Sequence, residues 1–388
     1  VNARQLALDL LNAWPRTRQF ADELLQERLA HANLTGVDRA LVMELFYGCL
    51  RYRLALDHLV AAHAPKPPRA CVAHILHLGL YQLFYLKGAP HAAVHETVEL
   101  AKKFASPAEA RFVNAVLRRA SPAPLETADP WIRLSHPRWL YDRHGAAWCE
   151  WNNAPPPLYA RGAEPWPGVL EPTSLHPLCY RIVDAEKFFA NPGQYYVQDP
   201  STLIAVDVLD PQPGEIVLDM CAAPGGKTTY IAQKMQNRGE IVAADSAAAR
   251  LGRVAENCRR LGIRIVATLV CASGRCLRGR QFDRVLVDAP CSNTGVLRRR
   301  ADLRWRIRQE ELPRLAQAQR KLLAAAAELT RPGGVLVYST CSLEPEENER
   351  VVEHFRETHP RWSLETTRST FPPRDGMDGA FVARWRSG

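Results

Sequence analysis

Two short motifs end in cysteine just where apolar runs stop: Asp288-Ala-Pro-Cys291-Ser-Asn-Thr-Gly after RVLVD, and Ser339-Thr-Cys341-Ser after VLVYS. A lone cysteine is most simply a small buried hydrophobe. Two at adjacent strand ends, with an acid beside one of them, suit nucleophilic chemistry instead. Carbon 5 of a pyrimidine is too weak a nucleophile to take a methyl group unaided. Addition of a thiolate to carbon 6 makes carbon 5 enamine-like, so that it can attack a sulfonium methyl. One cysteine would be the nucleophile, and the second could assist when the adduct loses the carbon 5 proton and expels the thiol. A carboxylate near N3 would compensate the charge that develops on the ring, and Asp288 has the position for it.

A third motif supplies the methyl source. IVLDM runs into Cys221-Ala-Ala-Pro-Gly-Gly-Lys-Thr-Thr and then an amphipathic helix, placing two glycines in a strand-to-helix turn where the backbone can approach a ligand. A nucleotide-triphosphate loop would need its first glycine where Cys221 stands, and the dinucleotide pattern G-x-G-x-x-G is absent. S-adenosyl-L-methionine remains, with Asp245 after the second strand in the position of a ribose-binding acid.

The elements that position these residues follow from periodicity. Ala3 to about Ala120 repeats apolar residues at helical spacing, as in Leu41, Leu45, Phe46, Cys49 and Leu50, with breaks at Leu34-Thr-Gly-Val and Ala64-Pro-Lys-Pro-Pro. It predicts an all-helical domain of five or more helices. Residues 121–177 hold eleven prolines, which argues against long helices or central strands and marks a connection that five tryptophans keep packed. From Gly214 onward short apolar strands alternate with amphipathic helices: Glu215–Met220, Glu240–Asp245, Arg264–Val270, Phe282–Asp288 and Val335–Thr340, with a last strand at Ala380–Trp385 after the Asp378-Gly379 turn. That alternation predicts a doubly wound, mainly parallel sheet with ligands at the carboxyl ends of its strands.

At 388 residues, with 47% hydrophobic and 23% charged, the chain is ordinary for a globular protein of two or three folding units; disordered and fibrous classes are excluded. Ten scattered cysteines without a CxxC pair fit a reducing cytoplasm better than a disulfide scaffold. The first residues lack the pattern of a secretion signal, and the apolar stretch Ala70 to Leu86, interrupted by His74, His77, Gly79 and Gln82, reads as a buried helix.

DMCAAPGGKTT, AADS, DAPCSNTG and STCSLEPEENE resemble the successive motifs of the RNA 5-methylcytosine methyltransferases, over roughly residues 195–385. The helical part resembles a NusB-like RNA-binding domain in RxLALDLL, LFYGCLR, LHLGLYQLFYL and FVNAVLRR; together they are similar to the RsmB type, which acts on small-subunit ribosomal RNA. The resemblance implies a NusB-like domain over 1–125, a Pro/Trp-rich linker and small subdomain over 126–194, and over 195–388 a Rossmann-like class I methyltransferase domain with a seven-stranded, mostly parallel sheet. It implies Cys341 as nucleophile and Cys291 as the residue that promotes product release. Cofactor contacts carry over to Cys221, Ala222, Ala223, Pro224, Gly225, Gly226 and Lys227, to Asp245 and to Asp288. Where the family usually has an Asp near the adenine amine, this chain has Cys271, a weak partner, so Cys271→Asp is expected to tighten cofactor binding. Transfer RNA stands as an alternative substrate, since only the NusB-like part argues for ribosomal RNA. A non-catalytic RNA-binding factor is the other alternative, with both cysteines and Asp288 speaking against it.

Fifty Lys and Arg against forty-one Asp and Glu give a formal charge of +9, which suits a polyanionic partner. Residues 250–308 alone hold fifteen arginines and four acids. Arg298, Arg299, Arg300, Arg304 and Arg306, around Trp305, follow the Pro-Cys motif and are expected to form an RNA track. His91 and His95 have metal-pair spacing but no third ligand, so no metal is expected. Glu344, Glu346, Glu347 and Glu349 read as acids favouring the start of a helix. No membrane association and a monomer complete the expectations.

Overall fold

The structure, a computed structural model, describes residues 2–64 and 66–388, with Arg275 described in its backbone alone. Pro65, in one predicted break, and the Arg275 side chain, in the arginine-rich window, therefore lie outside the described residues. The chain packs as two compact units, residues 1–155 with 297–306, and residues 156–296 with 307–388.

The first unit is helical. Ala3–Ala13, Ala21–Ala30, Gly36–Arg51, Arg53–His63, Ala70–Phe84, Pro90–Phe104 and Pro107–Arg119 are its principal helices, as the apolar periodicity predicts. Their ends obey local chemistry: Thr35 accepts from the Asp38 N–H, and Ser106 and Glu109 form a capping box with Pro107 in the first turn. Leu45, Phe46, Cys49 and Leu50 pack into the core with Leu6, Leu10, Ile75 and Leu76. Gly48 lets Tyr81 close on its helix, since a Cβ there would fall 2.0 Å from the Tyr81 ring. Ala70–Phe84 is largely buried in this core, and no helix among the described residues is long and apolar enough to cross a membrane. The Pro/Trp-rich stretch does contain a long helix, Arg138–Asn153, broken at Gly145, because no proline stands between Pro137 and Pro155.

The second unit carries two sheets. Four short strands, β1 (Tyr159–Arg161), β2 (Leu170–Pro172), β3 (Cys179–Ile182) and β4 (Tyr196–Val197), form a small antiparallel sheet in the order β2-β3-β1-β4. They lie where proline content had masked any strand pattern. Seven more strands form the main sheet: β5 (Ile216–Met220), β6 (Glu240–Asp245), β7 (Val266–Val270), β8 (Phe282–Asp288), β9 (Thr330–Thr340), β10 (Trp362–Thr370) and β11 (Ala380–Ser387). Their order is β10-β11-β9-β8-β5-β6-β7, parallel from β9 through β7, with β11 antiparallel to both neighbours. This is the doubly wound sheet expected. β10 escaped the sequence reading because its exposed face carries Ser, Glu, Thr and Arg rather than a continuous apolar run. The β5/β8 neighbours mark the point where strand order reverses, and the carboxyl ends of β5, β6, β8 and β9 converge there.

Candidate active site

β8 and β9 run in parallel register, Asp288 opposite Ser339, so their loops leave the sheet at one level. The Ala289 N–H donates to Ser339 O at 2.9 Å and the Gly295 N–H to Cys341 O at 2.9 Å, stitching the two loops together. Gly295 is required by this approach, since a Cβ there would meet Cys341 O and the Gly379 backbone at 2.7 Å. The result is a pair of thiols, Cys291 Sγ and Cys341 Sγ, 3.4 Å apart. Asn293, in the left-handed region at φ 63°, donates its amide to Cys291 O at 2.7 Å, and its Oδ1 lies 3.2 Å from Cys341 Sγ, as acceptor. The hydrogen bond with Cys341, followed by burial, pushes the Cys291 thiol well above the usual range. Burial pushes the Cys221 thiol up to about 12.

Asp288 faces the same space. It accepts from Lys227 Nζ at 2.7 Å and from Ser339 Oγ at 2.7 Å. Burial pulls the Lys227 ammonium down, but Asp288 and the nearby Cys341 more than offset it and the net direction is upward. Lys227 enters from the glycine turn, where Gly225 at φ 106° admits no ordinary side-chain conformation, and a Cβ on it would lie 3.2 Å from Val254 Cα. The helix Gly226–Lys234 starts directly from this turn.

Asp245 ends β6 and is buried. Its Oδ2 accepts from the Ala223 N–H at 3.2 Å and its Oδ1 from the Ala247 N–H at 3.1 Å, so the acid and the turn fix one another. Around the turn, Asp219 Oδ1 and both amide heteroatoms of Gln198 are buried without a hydrogen-bond partner, and Gln198 Oε1 lies 3.1 Å from where a Gly226 Cβ would sit. Unpaired polar atoms beside a glycine turn suit a polar ligand with donors and acceptors of its own, and an adenosyl amino acid is such a ligand.

Cys271 is at the end of β7 as expected, its N–H donating to Asp245 O at 2.8 Å, but its sulfur is bonded to Cys276. The turn at Gly274, φ 72°, brings the two Cα atoms to 6.3 Å. The Cys271 sulfur, expected as a weak partner for the adenine amine, is therefore held in a disulfide. Cys221, Cys291 and Cys341 keep free thiols.

The arginine run is placed differently from expectation. Residues 297–306 belong to the helical unit, and there Arg298, Arg304 and Arg306 serve backbone carbonyls. Arg304 is 0% exposed and donates to the carbonyls of Arg51, Ser135 and Asn152 and to Asn153 Oδ1, at 2.9–3.2 Å. Arg298 stacks on Trp151 and donates to Ala154 O and Pro155 O, and Arg306 stacks on Trp14 and donates to the carbonyls of Trp14, Thr17 and Arg18. Arg300 lies over Phe20 and 3.8 Å from Asp22, and Arg299 is half-buried in the same segment. Burial removes Arg304 from any RNA, which corrects the expectation for that residue: its acceptors are main-chain oxygens that no charge pattern reveals.

One supporting residue went unread. Arg161 on β1 is buried, donates to Gly226 O at 3.0 Å and Thr229 Oγ1 at 2.9 Å, and packs on the Tyr196 and Tyr230 rings, bracing the glycine turn. It stands in Tyr-Ala-Arg-Gly, inside the proline-rich stretch and outside every motif that carries the resemblance.

A glycine turn after the first strand of a parallel sheet, an acid after the second and the functional side chains at the next strand ends define a Rossmann-like S-adenosylmethionine-dependent methyltransferase. The sequence profile described as 16S rRNA methyltransferase RsmB/F matches residues 206–386, and the NusB family profile matches residues 1–122. The chain is 34% identical to the probable ribosomal RNA small subunit methyltransferase B of Bacillus subtilis, over 92% of this chain and 89% of that protein. It is 35% identical to ribosomal RNA small subunit methyltransferase B of Yersinia pseudotuberculosis, over 91% of each. Among solved structures, that of PH0851 superposes with a TM-score of 0.81 at 25% identity over 99% of both chains. A methyltransferase homologue from Pyrococcus horikoshii does so at 0.59, with 28% identity over 69% of this chain and 100% of that one. The protein belongs to the RsmB/F family of 16S ribosomal RNA methyltransferases.

Proposed function

We propose that the protein methylates carbon 5 of a cytosine in small-subunit ribosomal RNA, with Cys341 adding to carbon 6 of the ring and Cys291 assisting release. The observation that carries this reading is the thiol pair, 3.4 Å apart at neighbouring strand ends and facing the Lys227–Asp288 ion pair. The hydrogen bond with Cys341 and burial push the Cys291 thiol up, which suits it to hold a proton for the departing sulfur.

Bound S-adenosylmethionine supplies an electrophilic methyl group. The Cys221–Lys227 turn and Asp245 are the residues that would hold it, through backbone groups and the carboxylate. Asp288 accepts a hydrogen bond from the exocyclic amine beside N3 and so orients the ring, and the Lys227 ammonium paired with it offsets the negative charge that the ring takes on as the thiolate adds. Carbon 6 must be presented to Cys341 Sγ, so the target base is unstacked or already single-stranded. When the carbon–sulfur bond breaks, Cys291 is within hydrogen-bond reach of the departing sulfur.

The test uses the full chain, labelled cofactor and 16S ribosomal RNA transcripts. Cys341→Ser is expected to abolish methyl transfer with cofactor affinity nearly intact, and Cys291→Ala to accumulate a protein–RNA adduct that survives denaturing gels. Trapping by Cys341→Ala but not Cys291→Ala would exchange the roles. Bisulfite sequencing of RNA from cells lacking the protein locates the base, and a lost signal in transfer RNA rather than ribosomal RNA would overturn the substrate.

A further inference from the structure

Glu347 lies in the Glu-rich segment whose sequence suggests nothing beyond a helix start, yet it is 0% exposed. Its carboxylate accepts four hydrogen bonds. On Oε1 they come from the Ser292 N–H at 2.9 Å and Gln319 Nε2 at 2.8 Å, and on Oε2 from Ser342 Oγ at 2.6 Å and Ser292 Oγ. Ser292 follows Cys291 and Ser342 follows Cys341, and the two hydroxyl oxygens are 3.0 Å apart. Gln319, on the helix Leu312–Leu329, also donates to Pro290 O at 3.0 Å, on the other side of Cys291. The backbone of Glu347 is held in turn, its carbonyl accepting from Tyr338 on β9 at 2.6 Å.

We infer that Glu347 is a positioning residue that sets the distance between the two catalytic thiols by gripping the residue after each cysteine. The inference rests on the two-thiol reading of the site. A carboxylate is suited to the task because all four of its donors approach an acceptor-only group, and a buried carboxylate with four donors has one arrangement in which every hydrogen is used. Hydrogen bonds to a charged acceptor are also the stronger kind. Backbone bonds from Ala289 and Gly295 stitch the two loops on either side of the thiols, and the Glu347 carboxylate adds the tie between the residues directly after them; without it the thiol separation is less closely held. Displacing a reacting group by about 1 Å costs on the order of a hundredfold in rate.

Glu347→Gln keeps the shape but turns one end of the carboxylate into a donor, so the side chain itself can accept from at most two of the four groups, and the others must turn to different partners. Three quantities are read on the full chain: the methyl-transfer kcat, the KM for S-adenosylmethionine, and the rate at which diamide, taking two electrons and two protons from the thiol pair, joins Cys291 to Cys341, followed by peptide mass. The expected result is a kcat lower by about a hundredfold, a cofactor KM unchanged, and slower cross-linking. Ser342→Ala, which removes one donor and keeps the carboxylate, is expected to fall between wild type and Glu347→Gln, and carries the test should the latter fail to fold. Wild-type kcat and cross-linking in these variants would overturn the assignment, as would a loss of kcat matched by an equal loss of cofactor affinity, the mark of a merely structural role. The cross-link needs no RNA and no methyl transfer, so it tests the grip even where Cys341→Ser proves active and the two-thiol reading itself falls.

Discussion

Arg304 separates a structural from an RNA-binding reading of the arginine run. Its guanidinium is fully buried and donates to the oxygens of Arg51, Ser135, Asn152, Asn153 and Leu297. Arg304→Met leaves five buried acceptors without that donor, at about 1 kcal/mol each by the lower figure for an orphaned group. The variant also escapes the cost of burying a charge, but four of the acceptors are main-chain carbonyls that cannot be replaced along with the arginine. The balance is therefore a loss of about 3 kcal/mol. For a unit of this size that lowers the melting temperature by roughly 10 °C. Arg304→Lys retains the charge but not the planar fork and is expected to melt low as well. The assay is thermal denaturation of the full chain beside the salt dependence of its RNA binding. A melting temperature within about 2 °C of wild type, with a salt slope reduced by about one and RNA binding rescued by Lys, would refute the structural argument.

Asp219 gives a pH signature. Burial pushes its carboxyl up to about 7, so between about pH 4 and 7 the unfolded chain releases a proton that the folded chain keeps, and stability falls as pH rises through that window. Asp219→Asn is expected to flatten the slope in denaturant melts at pH 5 and pH 7.5; an unchanged slope would locate the titration elsewhere. Gly225→Ala forces a side chain into φ 106° against Val254 and is expected to cost about 1–3 kcal/mol of stability. Because the turn carries the cofactor backbone contacts, calorimetry should also find weaker S-adenosylmethionine binding, and unaltered affinity would separate the turn from the cofactor.

Residues adjacent along the chain were legible from their order. The β–turn–α unit around Cys221–Lys227, the acid at Asp245 and the cysteines after β8 and β9 each sit at a strand end, and a strand end is a local event written in apolar runs and glycines. The helical unit was legible for the same reason, since its faces repeat at helical spacing. The four short strands between Tyr159 and Val197 were not, because three or four residues between prolines carry too little periodicity to distinguish a strand from a loop.

Distances between loops belong to another level. Composition offered Arg304 to solvent and RNA, whereas packing gave it five oxygens inside the helical unit, four of them on backbone that every residue type shares. Glu347 looked like one acid among several, until the fold brought Ser292 and Ser342, fifty residues apart, onto a single carboxylate. Cys271 and Cys276 met because Gly274 turned the chain between them. Local order thus specified the elements and the chemistry at their ends. Which donor found which acceptor depended on three-dimensional packing, because hydrogen-bond partners are chosen by distance and burial, and neither is a property of residue type.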